Sequence, residues 1–128
     1  VRLLLDTHIA LWAITNDAKL KSPLRELIEN QENSVAVSAA SVWEIAIKFG
    51  LNREAMPVSG AEVLHWFLVA GYELVPVTGD HAAAAAALPP IHHDPFDRLI
   101  VAQALYEPYR LVTHDKTVAS YDPGILLA

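Results

Sequence analysis

The chain contains no cysteine. That excludes a disulfide scaffold, a thiolate metal centre and a cysteine nucleophile. Positive charge is also scarce: nine Lys and Arg stand against fifteen Asp and Glu, for a formal net charge of −6. That balance disfavours binding nucleic acid through a basic surface, unless a divalent cation reverses the sign locally. No apolar run approaches the roughly 20 residues of a membrane-spanning helix. No G-x-G-x-x-G, G-x-x-x-x-G-K, G-x-S-x-G or H-E-x-x-H occurs, so nucleotide-cofactor, serine-hydrolase and zinc-peptidase readings have no support. The first residues, V-R-L-L-L-D, reach an acid too soon for a signal peptide. A soluble cytoplasmic protein is expected.

What the chain does have is apolar bulk. Hydrophobic residues make up 53% of 128 and charged residues 19%, enough for one packed domain spanning residues 1–128. Short continuous apolar runs at Leu3–Leu5, Val35–Ser38, Leu74–Val77, Leu111–Thr113 and Ile125–Leu127 predict strands buried on both faces. Helical patterns lie between them. They run about His8–Ile14, from Ser22 as a cap with Pro23 in the first turn, Ala40–Phe49 stopped by Gly50, Gly60–Ala70 stopped by Gly71, His81–Leu88, and from Asp94-Pro95 to Tyr106. Alternating strands and helices predict an α/β sandwich with a mainly parallel sheet. Trp12, Leu64, Trp66 and Phe67 fall on helices expected at the surface, compatible with an apolar groove or a dimer face.

Most acidic residues fit solvated helix faces or turns, but four stand apart. Asp6 follows the run L-L-L, where open α/β sheets place ligands; it also fits a cap for the next helix. Glu44 lies with Ser41 and Lys48 on a thin polar stripe of an apolar helix, consistent with a polar cleft or with a plain Glu44–Lys48 pair. Asp97 has Ile100, Val101 and Ala104 on its helix face, so it points inward. A buried carboxylate needs a metal or a salt bridge. Asp115 follows L-V-T as Asp6 follows L-L-L, and otherwise reads as a turn residue. Thr7 and Thr113 add hydroxyls, and Asp94 reads as a helix cap. His8, His92, His93 and His114 lie beside these acids but read as surface or flanking histidines. Carboxylates with hydroxyls suit Mg²⁺ or Mn²⁺.

The stretches L-L-L-D-T-H at 3–8, S-A-A-S-V-W-E-I-A-I-K at 38–48, H-D-P-F-D-R-L-I-V-A-Q-A at 93–104 and L-V-T-H-D at 111–115 span nearly the whole chain. In them the sequence resembles the PIN-domain family, close to VapC-type toxins of toxin–antitoxin pairs. The resemblance implies a three-layer α/β/α sandwich and a metal-dependent endoribonuclease. Its acidic site would be carried here by Asp6, Glu44, Asp97 and Asp115, with Asp94 shaping it. It further implies a homodimer and a cognate antitoxin whose C-terminal segment fills a groove by the site. His93 stands where relatives often carry Arg, and G-L-N-R-E-A-M-P is weakly basic, which leaves fewer fixed charges for RNA. Arg98 and Lys116 are candidate phosphate contacts, although Arg98 is also spaced to pair with Asp94. Two rivals remain. One is a non-catalytic interaction module whose acidic pocket docks a basic segment. The other is an aspartyl-phosphate phosphatase or receiver domain, against which D-T-H stands in place of D-x-D.

Overall fold

A computed structural model describes residues Val1–Ala128. Five strands are β1 Arg2–Leu5, β2 Ser34–Ser38, β3 Glu73–Val75, β4 Arg110–Thr113 and β5 Leu126–Leu127. Seven helices are α1 Thr7–Ile14, α2 Ser22–Glu29, α3 Ala39–Leu51, α4 Gly60–Val69, α5 Gly79–Ala87, α6 Pro95–Tyr106 and α7 Lys116–Ala119. The strands form one sheet in the order β3-β2-β1-β4-β5, and every neighbouring pair is parallel.

The side chains of each strand alternate between two cores. Leu3, Leu5, Val35, Val37 and Val112 pack with Ile9 of α1, Leu24 and Ile28 of α2, Ile45 of α3, and Val63 and Phe67 of α4. Leu4, Ala36 and Leu111 pack with Ile100, Val101 and Ala104 of α6 and Val118 of α7. Helices therefore cover both sides, the expected three layers, and this is why no strand shows an alternating polar pattern. In the middle of the sheet Leu4 is in register with Ala36 on one side and Leu111 on the other. The carboxyl ends of β1, β2 and β4 consequently open onto one edge.

Several expected boundaries shift. Ser22 is not the cap of α2; Lys21 takes that position without a side-chain bond. Gly50 does not stop α3, which runs to Leu51 and is closed by Asn52. β3 ends at Val75, because Pro76 has no N–H to extend the pairing. Phe67 is core rather than surface: it is fully buried and stacks on Tyr72 with ring centres 5.8 Å apart. The exposed apolar residues of α4 are Leu68 and Val69. No helix is long and apolar enough to cross a membrane.

Candidate active site

Asp6 is fixed by the strand it follows. Its N–H donates to Val112 O at 2.9 Å, one rung beyond the β1–β4 ladder. Its two carboxylate oxygens then divide. Oδ1 accepts from Ile9 N at 2.9 Å and caps α1, while Oδ2 accepts from Thr113 Oγ1 at 2.5 Å. Thr113 Oγ1 in turn accepts the Asp115 N–H at 3.1 Å, so one hydroxyl joins the ends of β1 and β4. Burial pushes the Asp6 carboxyl above its ordinary pKa, against the bonds from Thr113 and Ile9.

Thr7 is the first residue of α1 and is buried. Its Oγ1 lies 2.7 Å from Glu44 Oε1 and 2.9 Å from Ser41 Oγ. A carboxylate only accepts, so the Thr7 proton goes to Glu44 and the Ser41 hydroxyl donates to Thr7. The other Glu44 oxygen, Oε2, accepts from Lys48 Nζ at 2.7 Å. Glu44 is therefore not half of a plain surface ion pair. It forms the Lys48 pair one turn on, yet its side chain is only 5% exposed against 45% for Lys48.

Asp94 caps α6 by accepting from Phe96 N at 2.8 Å and Asp97 N at 3.3 Å, with Pro95 in the first turn. The Asp94 N–H donates to His92 Nδ1 at 3.0 Å. A ring nitrogen that accepts carries no proton, so His92 is the neutral tautomer with its hydrogen on Nε2. That Nε2 lies 3.2 Å from Asp97 Oδ2 and 3.2 Å from Asp115 Oδ2. The N–H is hydrogen-bonded to Asp115, and the Asp97 carboxylate lies beside it as a charge contact without that bond. Tyr121 holds the ring's backbone, its hydroxyl accepting from His92 N at 2.8 Å.

The two acids differ in charge state. Burial and the neighbouring Asp94 carboxylate raise Asp97 to about 7, and Glu44 and Asp6 add to the repulsion. Asp115 is also opposed by burial, but N–H groups of α7 and the His92 contact hold it below the ordinary range. It caps α7 through Thr117 N at 2.8 Å. His92, Asp97 and Asp115 offer donor atoms all within 4.8 Å of one another, a spacing that could hold a cation. The carboxylates are hard oxygen donors that fit a divalent ion of the Mg²⁺ or Mn²⁺ type, whereas the His92 ring, with Nδ1 accepting from Asp94 and its hydrogen on Nε2, has no free lone pair to add.

Arg98 does not pair with Asp94 and does not face the acids. Its guanidinium donates to the carbonyls of Ala85 at 2.7 Å, Pro89 at 3.0 Å, Leu88 at 3.2 Å and His92 at 3.3 Å. It ties the α5–α6 connection together and is not available as a phosphate contact. Lys116 opens α7 and is exposed. Tyr121 is the site residue the sequence did not single out, and His92, expected as a flanking histidine, proves to sit between Asp97 and Asp115. The available signal was a histidine two residues before the cap of α6.

The PIN domain family model matches residues 3–122. Ribonuclease VapC22 of Mycobacterium tuberculosis is 34% identical over 122 residues, 93% of this chain and 91% of that relative. Solved structures share the fold at lower identity. VapBC2 from Rickettsia felis, bound to a DNA fragment from its promoter, has a TM-score of 0.71 at 19% identity and covers 100% of this chain and 98% of that one. A toxin–antitoxin complex from Klebsiella pneumoniae has 0.65 at 17%, covering 97% and 95%. FitAcB from Neisseria gonorrhoeae has 0.64 at 20%, covering 98% and 96%. With the match running from within β1 to beyond α7, through every strand end that carries an acid, the chain belongs to the PIN-domain family.

Proposed function

We infer that the protein is a VapC-type endoribonuclease, the toxin of a toxin–antitoxin pair, hydrolysing RNA phosphodiester bonds with Mg²⁺ or Mn²⁺. The observation that carries this is Asp97. It is a half-buried acid raised to about 7, crowded by Asp94, Glu44 and Asp6, with the His92 ring 3.2 Å away but hydrogen-bonded to Asp115 instead. Such a site gains most from a cation, which removes the repulsion that burial intensifies. Asp97 and Asp115 would hold the ion in place of the His92 N–H that lies between them, and Asp6 and Glu44 add charge from β1 and α3. When bound, the ion supplies positive charge to polarise the phosphodiester and to lower the pKa of a water.

The chain's own residues do the positioning. Thr113 fixes Asp6 relative to Asp115, and Thr7 fixes Glu44 relative to α1. His92, held by Asp94 and Tyr121, sets the spacing of Asp97 and Asp115. Water would attack phosphorus directly and the 3′-oxygen would leave and take up a proton, so the products would carry a 5′-phosphate and a 3′-hydroxyl with no covalent intermediate on a side chain. Of Arg98 and Lys116, only Lys116 is free for a phosphate contact. A groove of about 650 Å³ begins at His114 and Trp12 and is lined by Ile9, Leu20, Leu24 and Leu127 with Lys19 and Lys21 among them. It suits a segment of the cognate antitoxin, and the working assembly is a homodimer bound to that antitoxin.

The test is cleavage of single-stranded RNA with end analysis of the products. Cleavage is expected with Mg²⁺ or Mn²⁺, none with chelator, and inhibition by the antitoxin encoded beside the gene. Cleavage at full rate without any divalent ion would overturn the mechanism. A protein that cuts no RNA in any divalent ion would overturn the function.

A further inference from the structure

Three aromatic rings stand at the edge of the acidic group, and the mechanism above does not use them. His8 and Trp12 lie four residues apart on α1 and so share a face; His114 follows β4. The Trp12 and His114 ring centres are 4.8 Å apart, those of His8 and His114 5.1 Å, and those of His8 and Trp12 6.2 Å. The planes are tilted by 51° to 74°, so the rings do not consume one another's faces by flat stacking. His114 Nδ1 is 4.0 Å from Asp6 Oδ2, which puts the rings within one nucleotide of the acids. Lys19 Nζ sits 6.0 Å from the centre of the Trp12 ring. His8 and His114 are exposed and contribute nothing to either core.

The geometry points to a nucleobase-stacking platform, on which the base beside the cleaved phosphodiester packs against Trp12 and His114 with His8 at the margin. This rests on the RNA-cleavage reading above. The electrostatics call for it. A chain of net charge −6, with Arg98 tied to carbonyls and Lys48 tied to Glu44, has few cations left to hold a phosphate backbone. Stacking on aromatic faces needs no net charge and accepts any base. It does need a base whose face is free, so the platform selects unpaired over duplex RNA.

The test is a KM-against-kcat split on a single-stranded RNA with one cleavage site. Trp12→Ala is expected to raise KM by about tenfold or more with kcat within about twofold. Trp12→Phe, which keeps a ring and most of the packing, recovers most of that loss. His8→Ala, at an exposed position, raises KM severalfold with an unchanged melting temperature. An abasic nucleotide is placed in turn at the positions flanking the cut. At one of them the wild type loses about the factor that Trp12→Ala loses, and Trp12→Ala loses nothing more. An unchanged KM in Trp12→Ala, or an equal abasic penalty in both proteins, overturns the platform. So does an unchanged KM accompanied by weakened antitoxin binding, which would assign the rings to the protein partner. Should the wild type cut no RNA, the cleavage reading fails separately. Binding of single-stranded RNA carrying 2-aminopurine then decides: quenching by the wild type but not by Trp12→Ala supports the platform, and no quenching overturns it.

Discussion

Asp97 titrates far above the ordinary carboxylate value of ~4 because burial and Asp94 oppose its charge, so in the metal-free protein it is half-ionised at about pH 7. The folded state then binds a proton that the unfolded chain has released. The contribution of Asp97 to the stability of the metal-free protein is therefore expected to fall as pH rises from about 4 to about 7 and to level off above, with Asp6 acting in the same direction and His8 in the opposite one. The wild-type minus Asp97→Asn difference in melting temperature across that range isolates it and is expected to fall as pH rises. A divalent ion competes with that proton, so Mg²⁺ should raise the melting temperature more at pH 8 than at pH 6. Asp97→Asn is nearly isosteric and removes charge that a hard cation needs. It is expected to abolish RNA cleavage while the melting temperature at neutral pH holds or rises. A variant that melts lower yet cleaves at the wild-type rate would show that Asp97 is a structural acid. Thr113 offers a different outcome. Thr113→Val keeps the shape but leaves Asp6 Oδ2 and the Asp115 N–H without their shared hydroxyl. A loss of about 1–3 kcal/mol in denaturant titration is expected.

Among the elements, α3 and α4 approach most closely where Gly60 begins α4. A Cβ at Gly60 would lie 2.6 Å from Ala46 Cβ, and that atom is fixed to the α3 backbone. Gly60→Ala is expected to cost about 1–3 kcal/mol through overpacking, and Ala46→Gly in that background should recover part of it. Denaturant midpoints of the single and double variants decide this. The elements themselves were legible in the sequence for a physical reason. A strand covered on both faces is a continuous apolar run, and Leu3–Leu5 and Leu111–Thr113 announce themselves that way. The acids were legible because Asp6 and Asp115 follow such runs and Asp97 shares a face with Ile100 and Val101. Arg98 misled because helix spacing points it at Asp94. That carboxylate is engaged in capping α6, and the end of α5 and the α5–α6 connection offer Arg98 four carbonyls instead. The place of His92 between the acids was not legible because it depends on Tyr121, which only folding brings to it. Gly50 looked like a stop, but α3 ends where Asn52 takes extended dihedrals two residues later.

Over the whole molecule, negative charge governs how RNA can be held. With Lys19, Lys21 and Lys116 as the free cations near the groove and the acids, about three phosphate contacts are available. The logarithm of RNA affinity should then fall with the logarithm of monovalent salt with a slope of about −2, shallow for a nucleic-acid enzyme. A slope steeper than about −5 would mean a basic surface assembled from a second copy or another partner. Binding titrations at fixed Mg²⁺ read this directly. The division of the Asp6 oxygens reaches further, into heredity. One oxygen caps α1 and the other accepts from Thr113, so replacing Asp6 by an apolar residue removes a helix cap together with a charge, at a cost of about 0.5–2 kcal/mol. Asp97 carries no such double duty. Cells that escape the protein's activity by mutation should therefore leave two kinds of record: changes at Asp97 in protein that still accumulates, and changes at Asp6 in protein that is cleared. A silenced copy of the gene can shed the first acid at little cost to its fold, whereas shedding the second also removes a helix cap.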